Sequence, residues 1–277
     1  MGAWIEEMYR LYPWPEDPSR DEGKRRYYEA LNKFKVAVKH EWMNKLINSK
    51  KHLKIIELCS GTGIGGIALS KILIENGKSV ELKMLDARRE ALEKALDFSL
   101  KELGFKAQIQ VVDILKPDYL EGKYDIVLMY GFSSSHFNPW EMIKILSSIQ
   151  EIIVEDGILL MEEGDRIQGV FLRGYQQILP EYSENKTVLT IHKDYNALKG
   201  EFYRIIFDLK SGERSEMKVY FWGLAELMSM VWIFFKDVDF IPYQDGNYRG
   251  IIIAYKPRGK LTHLDFSQTP KVLYKEH

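Results

Sequence analysis

Apolar residues recur along this chain with two different periods, and the switch between them divides it. Over 24–47, Tyr27, Leu31, Phe34, Val38, Trp42 and Leu46 return every three or four positions, which predicts one amphipathic helix with a basic opposite face. Just before it, Tyr12-Pro13-Trp14-Pro15-Glu16-Asp17-Pro18 carries three prolines and is excluded from regular helix. Beyond it, short apolar runs at 53–58, 80–85, 109–112, 126–130 and 158–161 read as buried strands, while 64–75, 88–103 and 140–154 keep helical spacing. Alternation of this kind predicts a parallel sheet covered on both faces, because parallel neighbours need long crossovers. The last third reads as antiparallel strands at 187–191, 202–209 and 215–221, the last two joined by a Lys210-Ser211-Gly212-Glu213 turn. A helix over 224–235 follows, then a hairpin of 239–243 and 249–255 around Asp245-Gly246-Asn247.

Composition narrows the class. With 45% hydrophobic and 29% charged residues the 277-residue chain is ordinary globular protein, without long disordered or collagen-like stretches. No repeat or long linker divides it, so one domain with appendages is expected. The 39 Lys+Arg against 40 Asp+Glu leave a net charge of −1, too little to draw the whole molecule to nucleic acid or anionic lipid. Cys59 stands alone, which excludes an internal disulfide and a cysteine-cluster metal site; no metal is expected. The acidic start with Glu6 and Glu7 is unlike a signal peptide, and the most apolar segment, 224–235, is broken by Glu226 and falls short of the ~18 residues of a membrane span. A cytoplasmic protein with no membrane partner is expected.

The chemistry concentrates at strand ends. Glu57-Leu58-Cys59-Ser60-Gly61-Thr62-Gly63-Ile64-Gly65-Gly66 runs from a strand through glycines into a helix, where the backbone can approach a ligand and free N–H groups face it. Gly61, Gly63 and Gly66 fit G-x-G-x-x-G, a weak signal alone. Asp86 ends the second strand, where a carboxylate can accept from both hydroxyls of a ribose. Asp113 ends the third, where one can accept from an adenine amine. Glu57 separates the candidate ligands: an acid ahead of the glycines repels a dinucleotide pyrophosphate and suits a cationic sulfonium with its ammonium group.

The ordered series of Glu57 to Gly63, Asp86, Asp113 and then Tyr124-Asp125-Ile126-Val127-Leu128-Met129 resembles the motifs of class I S-adenosylmethionine-dependent methyltransferases, over about residues 53–161. Gly131-Phe132-Ser133-Ser134-Ser135-His136-Phe137 is similar to the Gly-Asn-Ser segment of the glycine- and sarcosine-type, small-molecule branch, with Phe132 in place of Asn. The resemblance implies an α/β fold with a doubly wound, mostly parallel seven-stranded sheet whose last strand is antiparallel. It places Glu57, Cys59, Gly61 and Gly63 at the methionine moiety, with Leu58, Ser60 and Thr62 also binding the cofactor, Asp86 and Ala87 at the ribose, Asp113 and Ile114 at the adenine, and Met129 and Tyr130 beside the transferring methyl.

On this reading residues 1–50 form an N-terminal helical lid, 51–182 the S-adenosylmethionine-binding core, 183–222 an antiparallel insertion capping the substrate, 223–257 a helix and hairpin completing the sheet, and 258–277 a tail. The expected function is methyl transfer to N or O of a small molecule. His136 is the candidate base, with Tyr130 beside it, because an imidazole titrates near neutrality. Trp14, Tyr203, Arg204 and Trp222 are candidates for the acceptor pocket, and Glu162, Glu163 and Asp165 either attract an amine or form a solvated turn. Residues 20–54 hold eleven Lys or Arg against four Asp or Glu, 11 − 4 = 7, which keeps an RNA or protein substrate as the rival and nucleic acid as the disfavoured partner. A non-catalytic binding partner of the same fold is the rival of another class, and self-association stays open.

Overall fold

The chain begins with α1 (Gly2–Leu11), α2 (Asp21–Ala37) and α3 (Glu41–Ser49), then enters a sheet through β1 (His52–Leu58). There follow α4 (Ile64–Glu75), β2 (Ser79–Asp86), α5 (Arg89–Leu103), β3 (Gln108–Val111), β4 (Tyr124–Met129), α6 (Pro139–Ile152) and β5 (Ile153–Gly164). Next come α7 (Arg166–Arg173), β6 (Ile178–Tyr182), β7 (Thr187–Asn196), β8 (Glu201–Asp208), β9 (Arg214–Val219), α8 (Leu224–Phe234), β10 (Phe235–Pro242) and β11 (Arg249–Pro257). This computed structural model describes residues 2–119, 121–184, 186–243 and 248–274. The expected Asp245-Gly246-Asn247 turn lies outside the described residues.

The main sheet has the order β10-β11-β5-β4-β1-β2-β3. β1 to β5 run parallel, and β11 pairs antiparallel with both β5 and β10. The fold is therefore the seven-stranded class I methyltransferase architecture. Its two faces bury separate cores. Phe34, Met43 and Leu46 pack with α4 and α5 on one face; Met142, Ile145, Val231 and Phe234 close the other. Every residue of β4 is buried, as a strand flanked on both sides and covered on both faces requires.

A second, antiparallel sheet of order β6-β7-β8-β9 stands beyond β5. Ile5, Met8 and Leu11 of α1 pack on its Val188 and Ile206 in a third, small core. The N-terminal helix is thus glued to the insertion, and the insertion has four strands where three were expected. β6 escaped notice because it is largely exposed and holds Pro180, so no alternation marks it.

The helix expected over 24–47 is two helices. α2 ends at Ala37, and the His40 side chain caps α3 by accepting from Trp42 N at 3.3 Å, which redirects the chain without interrupting the apolar stripe. Among the described residues no helix is long and apolar enough to cross a membrane.

Candidate functional site

β1 delivers Glu57 to the carboxyl edge of the sheet, and the turn after it is forced into left-handed backbone. Cys59, Gly61 and Gly63 have φ of 54°, 55° and 78°. Cys59 carries real strain there, since a side chain disfavours that region. Gly65 is needed for approach: a Cβ on it would lie 2.4 Å from Glu57 Oε1 and 2.5 Å from Tyr130 Cβ. α4 can consequently settle on Glu57, whose Oε2 accepts from Gly66 N at 2.9 Å. Burial pushes the Glu57 carboxyl up to about 8, against the opposing pull of the Gly66 N–H and Arg26.

A cavity of about 20 Å³ lies against Glu57, lined also by Trp14, Arg26, Ser60, Gly61 and Tyr130. The Ser60 hydroxyl is buried there without a hydrogen-bond partner. Arg26 has its guanidinium 4.5 Å from the centre of the Trp14 ring and 5.9 Å from that of Tyr130, and it makes no hydrogen bond or ion pair among the described residues. Sequence reasoning had put it on a solvated face.

A second cavity, of about 40 Å³, holds Asp86, Ala87, Asp113, Ile114, His136 and Phe137. Asp86 is already engaged on both oxygens: Oδ2 accepts from Gly61 N at 2.7 Å, and Oδ1 from Arg88 N at 2.9 Å and Arg88 Nε at 3.1 Å. Asp113 Oδ1 accepts from Leu115 N at 3.1 Å. The side chains of Tyr9 and Arg88 line both cavities and divide them. The Arg88 guanidinium lies 3.9 Å over the Tyr9 ring, and the Tyr9 hydroxyl pairs with His136 Nε2 at 2.8 Å. Thr62 donates to the Glu16 carbonyl, tying the proline-rich segment to the glycine turn.

Leu58 and Met129 turn their side chains into the α6-side core instead of toward either cavity. Tyr130 faces the Glu57 cavity. After it Phe132 takes φ 59°, a backbone that asparagine tolerates and phenylalanine does not favour. His136 is held neutral, its pKa pulled down to about 4 by burial and by Arg166 and Arg88, and its Nδ1 is buried without a partner. Held neutral in this way, His136 is better placed to hydrogen-bond a ligand than to take up a proton near neutral pH.

The acids Glu162 and Glu163, at the end of β5, and Asp165, just after it, are neither a solvated turn nor open to an amine. Glu162 accepts from Lys33 Nζ at 2.9 Å, Tyr243 OH at 2.8 Å and Gly131 N at 2.9 Å. Glu163 is buried against Ser134 and Gly164 N, and burial raises its pKa to about 7. Asp165 caps α7 by accepting from Gln168 N at 2.7 Å.

Of the residues expected at the acceptor, Trp14 belongs to the Glu57 cavity. Trp222 is wholly buried, donating Nε1 to Ser134 O and Phe137 O at 3.0 and 3.1 Å, and pins the second sheet to the turn after β4. Tyr203 OH donates to Glu201 Oε2 at 2.7 Å and lies outside the cavities described here. Arg204 lines a larger cavity of about 420 Å³ between α7 and the second sheet. Its own donors are spent on Thr190 O, Thr190 Oγ1, Gln176 O and Tyr175 OH.

The sequence model of a family described as "Lysine methyltransferase" matches residues 32–162. No curated protein matches the chain. Among solved structures, the PH0226 protein from Pyrococcus horikoshii OT3 is similar with TM-score 0.61 at 19% identity, covering 91% of this chain and 99% of that one. The CcbJ methyltransferase from Streptomyces caelestis gives 0.60 at 14%, covering 92% and 97%. CalS10, an amino pentose methyltransferase from Micromonospora echinaspora solved with S-adenosylmethionine bound, gives 0.53 at 13%, covering 91% and 96%. Strand order, glycine turn and the family match over residues 32–162 together give this core the fold of S-adenosylmethionine-dependent methyltransferases.

Proposed function

We propose that the protein transfers a methyl group from S-adenosylmethionine to N or O of a small molecule. The observation that carries the acceptor class is the second sheet: joined to α1 and α7 beside the strand ends, it bounds a cavity of about 420 Å³, a size for a metabolite and not for a folded protein surface. CcbJ and the amino pentose enzyme CalS10 lie among the similar folds, and the Gly131 to Phe137 segment, with its glycine- and sarcosine-type pattern, points the same way. The lysine methyltransferase match keeps a protein lysine as the second reading.

The residues fit the cofactor in three parts. Glu57, whose carboxyl is favoured to ionise once a cation lies against it, suits an ammonium and a sulfonium, Arg26 and the unpartnered Ser60 hydroxyl suit a carboxylate, and Asp86, Asp113 and Ile114 suit an adenosine. When bound, the cofactor supplies an electrophilic methyl on sulfur. The chain's task is alignment and exclusion of water, because displacement at an activated carbon needs geometry more than a base. Tyr130 walls the Glu57 side, and neutral His136, paired with the Tyr9 hydroxyl through Nε2, keeps Nδ1 for a hydrogen bond instead of serving as a proton sink. The α1 helix and residues 12–18 serve as the lid.

Binding of S-adenosylmethionine and S-adenosylhomocysteine by calorimetry tests the cofactor. Labelled methyl from S-adenosylmethionine, incubated with cell extract and then separated by ultrafiltration, tests the acceptor. Label in the small-molecule fraction is expected; label confined to protein or RNA overturns the small-molecule reading, and absence of cofactor binding overturns the reading as a whole.

A further inference from the structure

Resting on that reading, we propose that the cavity between α7 and the second sheet receives the acceptor, and that the acceptor carries an anionic oxygen group on an apolar body. Arg166 and Arg173, at the two ends of α7 and about two turns apart on the same face, both line this cavity. Arg173 makes no hydrogen bond or ion pair among the described residues. Arg166 is held only loosely: Nε stands 3.4 Å from Glu163 Oε1, outside good hydrogen-bond geometry, and Nη2 reaches Phe132 O at 3.5 Å. Its fork of five donors is nearly unused, a costly state for a partly buried cation unless a ligand completes it.

The counter-charge on the same cavity is already committed. Glu181, its one carboxylate, takes the hydroxyls of Tyr12 and Thr190. Glu163, behind Arg166, accepts from Ser134 and from Gly164 N, and stands 3.4 Å from Arg166 Nε. The third arginine, Arg204, spends its donors on Thr190, Gln176 and Tyr175, so it shapes the wall and leaves two cations for the ligand. Val170, Leu179, Met217, Val219 and Phe221 supply the apolar remainder. Planar bidentate donors above an apolar floor recognise a carboxylate, phosphate or sulfonate attached to a hydrophobic scaffold.

The placement suits an acceptor. Phe132 O, which Arg166 touches, belongs to the turn directly after β4, and Tyr12 of the proline-rich segment lines the cavity. An anion gripped by Arg166 would leave the rest of a molecule free to extend toward the strand ends.

The probe is 8-anilinonaphthalene-1-sulfonate, an apolar body with one sulfonate, against N-phenyl-1-naphthylamine, the same body without it. Fluorescence titration, with S-adenosylhomocysteine present in excess, should show the sulfonate bound by wild type and weakened about tenfold by Arg166→Gln and further by adding Arg173→Gln, the scale of one lost charge-assisted pair. The neutral probe should be indifferent to both changes. Val170→Trp, which fills the cavity without touching charge, should abolish binding of the sulfonate and decides the matter if the arginine variants misfold by circular dichroism. Sulfonate affinity unchanged in a folded double variant, or in Val170→Trp, overturns the proposal. Calorimetry of S-adenosylhomocysteine alone reports separately on the cofactor, so failure of that reading is distinguished from failure of the anion site.

Discussion

Arg88 and Glu16 form a two-pronged pair across 72 residues, Nη1 to Oε1 at 2.7 Å and Nη2 to Oε2 at 2.9 Å, while Arg88 Nε holds Asp86. One guanidinium therefore fastens the proline-rich segment to the residue expected at the ribose. Asp86 Oδ1 is available to a ligand only when Arg88 lets go, and Arg88 sits where the two cavities would have to merge.

Glu16→Gln should accordingly open the latch. In stopped-flow experiments following tryptophan fluorescence, S-adenosylhomocysteine should associate faster by about tenfold, the rate equivalent of roughly 1.4 kcal/mol removed from a partly buried ion pair. An unchanged association rate would show that residues 12–18 do not gate the cleft.

Asp86→Asn keeps the shape and hydrogen-bonding length of the side chain but removes its charge. Affinity for S-adenosylhomocysteine should fall by on the order of 1.5–3 kcal/mol, the range for hydrogen bonds to an ionised partner. Calorimetry giving the wild-type value would mean that Arg88, not a ribose, is the lasting partner of this carboxylate.

The residues that chain order alone could locate are those ending apolar runs. Glu57, Asp86 and Asp113 stand at or just past the carboxyl ends of β1, β2 and β3, and parallel strands carry those ends to one edge, so three acids far apart in sequence come to that edge without any further information. What comes to that edge from elsewhere was not legible. Arg26 and Lys33 lie on a helix whose charges look solvated, and only the docking of α2 turns them to Trp14 and to Glu162. α7 has no buried residue, and its exposed Phe171 and Leu172 give no core face to read. Trp222 looked like a pocket aromatic because sequence shows the ring and not the two carbonyls that take its N–H.

Glu57 gives stability an unusual pH dependence. Its pKa in the folded chain is pushed by burial from 4.5 to about 8, so the folded state holds a proton the unfolded chain has lost. The stabilisation tied to that proton is complete below pH 4.5 and disappears as pH rises through about 8. Glu57→Gln, which cannot ionise, should gain on wild type in denaturant unfolding as pH rises across that window, by on the order of a few kcal/mol at its alkaline end. A difference between the two proteins that stays flat with pH would show Glu57 ionised in the folded chain, paired with Arg26.

His136 titrates with the opposite sign. Burial, with Arg166 and Arg88 nearby, pulls its pKa from 6.5 to about 4, so the unfolded chain takes up a proton that the folded chain refuses. The associated stability is present above pH 6.5 and is lost as pH falls toward 4. His136→Gln is the right comparison, because the amide can still hydrogen-bond the Tyr9 hydroxyl in either direction while no charge can form. The stability difference between wild type and His136→Gln should be constant at alkaline pH and move against wild type through the acid window, by on the order of 2 kcal/mol. Many carboxylates also titrate there, but they titrate in both proteins and cancel in the difference. A difference without slope would mean that His136 protonates in place; the turn after β4 would then be open enough to water for the imidazole to act as a base, and its role as a neutral hydrogen-bonding group would have to be abandoned.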